Sequence, residues 1–398
     1  MSARAADRSR LAALFSPVAV EDVLSEYWLT RHMFCRGSAN RFADLLSWPD
    51  LNRLLEHHWR ETFRFRLARR GRDLDPSSYA DLDGHTPRIR ASDVTEHLRR
   101  GATLSFDAMD ELHEPLTRLA EAFESFFQAG TKINIYAGWR ALHGLDLHRD
   151  NQEIFILQLD GRKHWLLYGF SIDHIDRGDL FRTSAPPSGA VFDEVLEPGD
   201  LLYIPRGCYH VAVPMNEPTL HLTLSVKNPR ALDLLRWIVD RLDTEALATV
   251  DLPILSDVAA RRRFSGDLRR TLLDPLDDDL VSQYLDETGS NLKPRPSFNL
   301  PWSATTDLLP DGTRFSIRLN PHVRVLAGDS SGDPLELLFG GRRLRFPASM
   351  RSIVGILLDD SSMSMAGVIE ALAGRVDADS ARLLIGMLVK ENLVAISA

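Results

Sequence analysis

Two residues able to bind a metal ion stand two positions apart in the segment GLDLHRDNQE: His148 and Asp150. Alternate side chains of an extended strand share a face, so this imidazole and this carboxylate can occupy neighbouring positions around one ion. A second histidine would complete a facial set of two histidines and one carboxylate, which leaves the ion's other positions open for oxygen chemistry. An HxD triplet alone is weak evidence, because the sequence contains 13 histidines.

The second histidine of the predicted site is His210, in the segment EPGDLLYIPRGCYHVAV. A Pro-Gly-Asp turn leads into the apolar strand 201–204, and a Pro-Arg-Gly turn follows it. This alternation of turns and strands predicts that His210 reaches the metal from the opposite side of a barrel. Together the two segments specify an Fe(II) site, in which His148, Asp150 and His210 are the metal ligands and the catalytic residues.

Other nearby residues carry weaker signals. His143 falls in the loop before His148, and His221, in the strand HLTLSV, could line a barrel. We expect His221 to be a core histidine whose hydrogen bonds are satisfied. Cys208 is expected to be structural, because a soft thiolate would disturb an iron oxygenase site.

The elements around these residues indicate an α+β chain with an all-β centre. Residues from about 20 to 130 are predicted to be mainly helices joined by loops. From Lys132 to about Asn228, short β-rich runs separated by turn signals are typical of a sandwich or barrel. The dipeptide Asp160-Gly161 predicts a hairpin within IFILQLDGRKHWLLY.

Three regions are predicted along the chain. Residues 1–229 hold the barrel and its helical N-terminal part, and residues 230–297 are helical. The third region, residues 298–398, begins within the proline-rich segment NLKPRPSFNLP and is predicted to contain strands, two helices and a terminal strand. Helix, turn, helix and terminal strand is the order of a winged-helix module.

Composition narrows the function classes. The net charge of -9 provides no bulk attraction to nucleic acid, and the arginines of GGRRLRF are expected to lie on a solvated strand face. No apolar run approaches the length that spans a bilayer, and the N-terminus lacks the apolar region of a secretory signal. Two cysteines give no disulfide framework. We therefore expect a cytoplasmic protein without membrane association or direct nucleic-acid binding.

These motifs resemble those of the JmjC, or cupin-like, 2-oxoglutarate oxygenases, and most of all the ribosomal oxygenases, which hydroxylate histidine or arginine side chains of ribosomal proteins. The resemblance rests on the HxD motif and on His210, 62 residues after His148. It implies a double-stranded β-helix that binds Fe(II), with 2-oxoglutarate as the cosubstrate alongside O₂. Lys163 stands where the family has a cation for the 5-carboxylate of 2-oxoglutarate. Tyr136 and Asn134 stand where family residues contact or lie near the cosubstrate.

Lys163 is also expected to bind an anion on physical grounds. A cation on the apolar wall of a barrel requires an anionic partner, and a bound dicarboxylate supplies one. Outside the barrel, the helical block of residues 230–297 lies where ribosomal oxygenases have dimerisation helices, and the last unit lies where they have a winged helix. The resemblance thus implies a homodimer.

The implied activity is hydroxylation of a protein side chain, His or Arg of a ribosomal protein, coupled to oxidation of 2-oxoglutarate to succinate and CO₂. Three alternatives stay open at this point. The same chemistry could act on a peptide natural product or a small molecule in biosynthesis, or remove methyl groups from N-methyl-lysine. A cupin and winged-helix protein could also be a non-catalytic binding or regulatory module, although the intact ligand set argues against that.

Overall fold

The computed structural model describes residues 5–82, 87–170, 180–183, 186, 189–242, 247, 250–273, 276–290, 292, 295, 298–305, 315–319, 323–326, 333–348, 350–359 and 363–397. The chain forms two compact units, Met1–Lys227 and Asn228–Ala398. The first unit ends two residues before the predicted boundary after residue 229. The predicted division near residue 297 stays a prediction.

The first unit combines five α-helices with fifteen strands in its described part. Its helices are α1 Ala5–Phe15, α2 Val20–Asp22, α3 Trp48–His57, α4 Ala91–Arg99 and α5 Glu114–Phe127. Its strands are β1 Met33–Cys35, β2 Phe65–Arg69, β3 Arg72–Asp73, β4 Ala80–Asp81, β5 Arg88–Ile89, β6 Thr103–Phe106, β7 Gly130–Gly138, β8 His148–Asp150, β9 Glu153–Asp160, β10 Lys163–Phe170, β11 Leu180–Arg182, β12 Ala190–Leu196, β13 Leu201–Ile204, β14 Cys208–Pro214 and β15 Thr219–Lys227.

Two antiparallel sheets form the centre of this unit. The larger has eight strands in the order β1-β13-β9-β15-β7-β6-β2-β3, and the smaller has five in the order β11-β8-β14-β10-β12. Side chains from both sheets meet in one apolar cluster, for example Ile154 and Ile204 of the larger sheet with Leu167 and Leu196 of the smaller. The α+β chain with a double-stranded β-helix that the sequence predicted is thus confirmed.

The turn at Asp160-Gly161 does not make a hairpin, so that prediction is wrong. Strand β9 lies in the larger sheet, whereas β10 lies in the smaller one. Gly161, with φ +61°, allows the reversal, and a Cβ there would lie 1.8 Å from the carbonyl oxygen of Pro218. A tight turn can join strands of one sheet or of two facing sheets, and both strands are apolar enough for either arrangement.

The N-terminal part contains more β-structure than the helical pattern predicted. Strands β2 and β6 pair with each other, and β6 pairs with β7, so they extend the larger sheet. Both are four or five residues long and lie within a segment dominated by helical spacing. Short strands of this kind are stabilised by their neighbours rather than by a strong local signal.

The outer face of the larger sheet is covered by helices. Alternate residues of β9 serve two cores: Ile154 and Ile156 face the smaller sheet, while Phe155 and Leu157 pack with the helical layer. Phe123 of α5 contacts Phe155 edge-on, with ring centroids 5.1 Å apart. This double burial holds the larger sheet rigidly behind the cavity described below.

The second unit begins with helices and ends with a mixed region. Its helices are α6 Ala231–Arg241, α7 Val258–Leu273, α8 Leu280–Ser290, α9 Trp302–Thr305, α10 Met350–Asp359, α11 Met365–Ala371 and α12 Ala378–Lys390. Its strands are β16 Ser316–Leu319, β17 Arg324–Leu326, β18 Leu335–Phe339, β19 Arg342–Phe346, β20 Met363–Ser364 and β21 Val394–Ser397. They form two three-stranded sheets, β20-β16-β21 and β17-β18-β19.

The second unit has its own apolar core, built from α10, α11, α12 and the strands around them, with Ile353, Val368 and Ile385 fully buried. The sequence of α11, α12 and β21 follows the expected order of helix, helix and terminal strand. Its assignment as a winged-helix module stays a prediction. Within the described residues of both units, no helix combines the length and the apolar character needed to cross a membrane.

Candidate metal centre

The three predicted ligands lie on two neighbouring strands of the smaller sheet. His148 and Asp150 begin and end β8, and His210 lies in β14, directly opposite His148 in the antiparallel register. His210 therefore does not arrive from the opposite side of the barrel, and that prediction is wrong. The reason is again that the chain changes sheets, because β13 lies in the larger sheet and β14 in the smaller.

The ligand atoms of these residues converge on one point. The Nε2 atoms of His148 and His210 lie 3.9 and 3.6 Å from Oδ2 of Asp150. The two imidazole rings are 4.2 Å apart between centroids. All three residues can offer ligand atoms within 4.8 Å of one another. Such a cluster has the separations and the mixture of nitrogen and oxygen donors that suit one divalent transition-metal ion.

Backbone carbonyl groups set the tautomer of both histidines. Nδ1 of His148 lies 2.7 Å from the carbonyl oxygen of Asp146, and Nδ1 of His210 lies 3.0 Å from that of Cys208. A carbonyl oxygen only accepts, so each Nδ1 carries the proton and each Nε2 keeps its lone pair for a metal. Burial, and then the neighbouring His148, lower the pKa of His210 to about 4, which keeps this imidazole neutral.

The three residues line a cavity between the two sheets, with about 570 Å³ of space when its open mouth is included. Its other walls come from both sheets and from the loop before β8. These remaining lining residues are Thr103, Tyr136, Gly144, Leu145, Ile154, Ile156, Lys163, Trp165, Ala212, His221 and Thr223.

Lys163 is the cation of this cavity. Only 7% of its surface is exposed, and its Nζ lies 5.5 Å from the centroid of the Trp165 ring. Burial lowers the pKa of Lys163 to about 7. It has no hydrogen bond or ion pair with any residue that the structure describes. An anion bound in the cavity would stabilise the charged form of this side chain.

Comparisons with known proteins agree with this geometry. A family model described as "JmjC domain" matches residues 109–234. That segment contains all three converging residues and most of the cavity wall. Residues 109–234 form a JmjC domain.

Curated relatives match the same half of the chain. One from Drosophila grimshawi, named bifunctional lysine-specific demethylase and histidyl-hydroxylase NO66, is 33% identical over 232 residues, which are 54% of this chain and 30% of that protein. Ribosomal oxygenase 2 of Mus musculus is 29% identical over 234 residues, which are 54% of this chain and 46% of that protein. The chain thus spans less than half the length of these two relatives.

Solved structures share the fold of the JmjC domain and of the rest of the chain. The Escherichia coli protein YcfD matches with a TM-score of 0.62 and 19% identity, over 96% of this chain and 98% of that one. A further structure is of YcfD, called a ribosomal oxygenase, in complex with cobalt and 2-oxoglutarate; it matches with a TM-score of 0.62 and 18% identity, over 96% of this chain and 99% of that one.

Two further residues of the predicted site lie on β7 of the JmjC domain, and they differ in position. Tyr136 lines the cavity, and burial raises the pKa of its hydroxyl group. Asn134 is not among the cavity-lining residues, and its Oδ1 accepts a hydrogen bond from the backbone N–H of Ala108 at 2.9 Å. Ala108 has a positive φ of 55°, so this hydrogen bond helps to hold a strained turn.

Two cavity residues differ from the sequence-based expectation: Trp165 was not predicted, and His221 was expected to be a core residue. The Trp165 ring stacks 6.1 Å from that of His210. His221 is 2% exposed and lines the cavity, and its Nδ1 has no hydrogen-bond partner among the described residues. The expectation of a satisfied core histidine is therefore wrong. His221 lies directly opposite Tyr136, a predicted site residue, but this pairing joins distant segments and could not be predicted from the sequence.

The neighbouring residues His143 and Cys208 lie outside the ligand set. Nε2 of His143 pairs with Oδ1 of Asp146 at 2.9 Å in the loop before β8. Cys208 is buried, and its thiol donates to the carbonyl oxygen of Tyr168. Burial raises the pKa of Cys208 to about 12, so the thiol stays protonated, which makes it a poor metal ligand.

Proposed function

We propose that this protein is an Fe(II)- and 2-oxoglutarate-dependent oxygenase that hydroxylates a His or Arg side chain of a ribosomal protein. One observation carries the proposal: His148, Asp150 and His210 converge in a cavity that also holds the buried cation Lys163. A metal-binding group beside an unpartnered cation suits a ligand that is both a chelator and an anion. 2-Oxoglutarate is such a ligand, since one end chelates and the other is a carboxylate.

In this proposal the three converging residues hold Fe(II). Two neutral imidazoles and one carboxylate are a donor set typical of non-haem Fe(II) oxygenases. When bound with 2-oxoglutarate and O₂, the iron supplies the oxidising power that inserts one oxygen atom into a C–H bond of the substrate, with succinate and CO₂ as co-products. The hydrogen bonds from Nδ1 of His148 and His210 keep both rings oriented before the ion arrives.

Lys163 and Tyr136 bind and orient the cosubstrate. The ammonium group of Lys163 pairs with the distal carboxylate, and the hydroxyl of Tyr136 donates to it. The negative charge of bound 2-oxoglutarate favours the charged form of Lys163, whereas burial alone disfavours it. Asn134 acts indirectly, by fixing the turn at Ala108 behind the strand that carries Tyr136.

The apolar cavity walls exclude water from the cosubstrate. Ile154 and Ile156 come from the larger sheet, and Trp165 from the smaller one. A dry wall strengthens the attraction between Lys163 and a carboxylate, because the effective dielectric constant is lower there than in water.

The substrate class rests on the relatives and on charge. The relatives' names include a histidyl-hydroxylase and a ribosomal oxygenase. A net charge of -9 suits a basic partner such as a ribosomal protein and does not favour nucleic acid. The arginines of β19 do not favour nucleic-acid binding either, because Arg343 and Arg345 both pair with Glu336.

A turnover experiment tests this function. The purified protein, Fe(II) and 2-oxoglutarate are incubated with ribosomal proteins, which are then digested and weighed by mass spectrometry. We expect a gain of about 16 Da, one oxygen atom, on a His or Arg residue together with an equal amount of succinate. The His148→Ala variant loses both products, whereas His164→Ala keeps them, because His164 pairs with Asp193 outside the cavity.

The same assay includes N-methyl-lysine peptides, because the Drosophila grimshawi relative is also named a demethylase. Formaldehyde release with those peptides and none of the oxygen gain on ribosomal proteins would replace the hydroxylase proposal by demethylation. Turnover with neither substrate, in protein that binds iron and 2-oxoglutarate, would point to a peptide natural product or a small molecule instead.

We also propose that residues 230–297 form a dimerisation region and residues 298–398 a winged-helix-like domain. No described side chain of α7 is buried, although this helix has 16 residues. It carries five arginines and one aspartate, and the acidic run Asp277–Asp279 follows it. In an antiparallel pair of copies, the basic helix α7 of one copy can face the acidic run of the other. The partner proposed for α7 is therefore a second copy of the chain.

We also propose that the protein is located in the cytoplasm. Both cysteines, Cys35 and Cys208, are buried free thiols, which is the usual state in a reducing compartment. Ribosomal proteins are available to an enzyme in that compartment.

A further inference from the structure

His221 is a buried polar side chain that the proposed chemistry has not yet used. Its ring stacks on that of Tyr136, with centroids 5.2 Å apart and planes inclined by 10°. The Trp165 ring stands against it edge to face, at 5.8 Å and 88°. Two aromatic side chains thus fix the plane of the imidazole, and the directions in which its nitrogens can form hydrogen bonds lie in that plane.

The hydrogen-bonding capacity of this imidazole is unmet within the described structure. Nδ1 of His221 is buried and has no hydrogen-bond partner among the described residues. An imidazole normally has a partner when it is buried, because desolvation without a hydrogen bond is costly. The ring lines the same cavity as the three converging residues, so a ligand there is the available partner.

The charge around His221 indicates which kind of ligand. Burial of the His221 ring, and then the positive charge of the neighbouring Lys163, keep the pKa of His221 well below the usual range. The imidazole is therefore neutral and acts as a hydrogen-bond donor without adding a second positive charge. A carboxylate can accept a hydrogen bond from His221 while it pairs with Lys163.

We propose that His221 is a further cosubstrate-binding residue, which donates a hydrogen bond to the distal carboxylate held by Lys163. The proposal rests on the proposed function, because it assumes that a 2-oxo dicarboxylate occupies the cavity. Stacking of the His221 ring on the Tyr136 ring places the two donors side by side. Lys163, Tyr136 and His221 together make a subsite that distinguishes a dicarboxylate from a monocarboxylate.

A ligand-truncation experiment tests this assignment. Binding of 2-oxoglutarate and of 2-oxopentanoate, which lacks the distal carboxylate, is measured by calorimetry on anaerobic protein loaded with Mn(II). His221→Phe keeps an aromatic ring for stacking but removes the donor. We expect it to weaken 2-oxoglutarate binding about tenfold or more and to leave 2-oxopentanoate binding within about twofold. His221→Gln, which keeps a donor, is expected to recover part of the loss.

His164→Phe is the matched control, because it makes the same substitution on β10 at a side chain that pairs with Asp193. Equal 2-oxoglutarate affinity in His221→Phe and the unaltered protein would overturn the role of His221. A loss of the same size for both ligands would also overturn it. If the unaltered protein fails to bind 2-oxoglutarate at all, the proposed function itself fails, so the two failures are distinguishable.

A second measurement needs no substitution at this position. Protein labelled with ¹⁵N-histidine and loaded with diamagnetic Zn(II) is titrated with 2-oxoglutarate, and the ring-nitrogen signals are followed. We expect one ring nitrogen of His221 to shift on addition of 2-oxoglutarate and to stay in place with 2-oxopentanoate. Unchanged His221 signals at saturating 2-oxoglutarate would contradict the proposal.

Discussion

At the scale of single residues, Lys163 shows how a binding site trades stability for function. Its ammonium group is buried beside Trp165, without an anionic partner among the described residues. Between pH 10.5 and about 7, the Lys163 side chain is protonated in the unfolded chain and deprotonated in the folded chain. The free energy of unfolding therefore falls as the pH falls through this window and does not change further below it.

Replacing this ammonium group should stabilise the ligand-free protein. We expect Lys163→Met to raise the free energy of unfolding by roughly 1–3 kcal/mol at pH 7, and by much less at pH 10. Urea unfolding without metal at both pH values measures it. Lys132→Met serves as the control, because Lys132 also lies on a strand, β7, but its side chain is exposed. A destabilised Lys163→Met protein at pH 7 would mean that a partner for Lys163 exists within the chain.

At the scale of elements, the ligand set depends on a link between two segments. Glu153 opens β9, and its Oε2 accepts hydrogen bonds from the hydroxyl of Tyr203 at 2.6 Å and from the backbone N–H of Arg206 at 3.1 Å. The next N–H, of Gly207, donates to the carbonyl oxygen of Asp150 at 3.0 Å. The turn before β14 is thereby fixed to the strand that carries His148 and Asp150.

Removing this buried acceptor should weaken the link between the two segments and lower the stability of the fold. Glu153→Ala leaves the Tyr203 hydroxyl and the Arg206 N–H without their acceptor, so we expect a loss of about 2–4 kcal/mol in the free energy of unfolding. Glu153→Gln keeps an oxygen acceptor and should lose less than half of that. Chemical denaturation measures both, with the exposed Glu96→Gln as the control. Equal stability of the Ala variant and the unaltered protein would show that Glu153 has no such role.

The sequence predicted individual strands better than their arrangement. Turn residues and apolar runs identify β9, β10, β13 and β14, since these signals are local. Which sheet each strand joins depends on pairing across long stretches of chain, and so both the hairpin at Asp160-Gly161 and the direction of approach of His210 were wrong. The identity of the converging residues survived, because His148, Asp150 and His210 were chosen by chemistry and spacing. The unpartnered state of His221 needed three-dimensional contacts.

At the scale of the whole molecule, two units with separate cores are joined in one chain. Helix α6 of the second unit exposes Leu232, Leu235 and Val239, which share one face of the helix at spacings of three and four residues. Apolar side chains in such a row, on the helix that precedes the unburied α7 along the chain, fit the proposed interface between two copies better than a free surface.

Measuring the oligomeric state tests whether the apolar face of α6 is an interface between two copies. We expect sedimentation at micromolar concentration to give twice the chain mass of 44.8 kDa. The double variant Leu235→Asp and Val239→Asp should sediment as a monomer, because two carboxylates would be buried in an apolar contact. Phe63→Asp, an exposed aromatic residue in the first unit, is the control and should stay dimeric. A monomeric unaltered protein would contradict the proposed dimerisation region.

The central claim, that His148, Asp150 and His210 hold Fe(II) next to a 2-oxoglutarate subsite, has one direct test. Anaerobic protein is titrated with Fe(II) and 2-oxoglutarate while the visible charge-transfer absorption of an iron-chelated 2-oxo acid is recorded. We predict a band that saturates at one iron per chain and is lost in Asp150→Ala, whereas His164→Ala keeps it. Absence of the band in the unaltered protein, or an equal band in Asp150→Ala, would contradict the account.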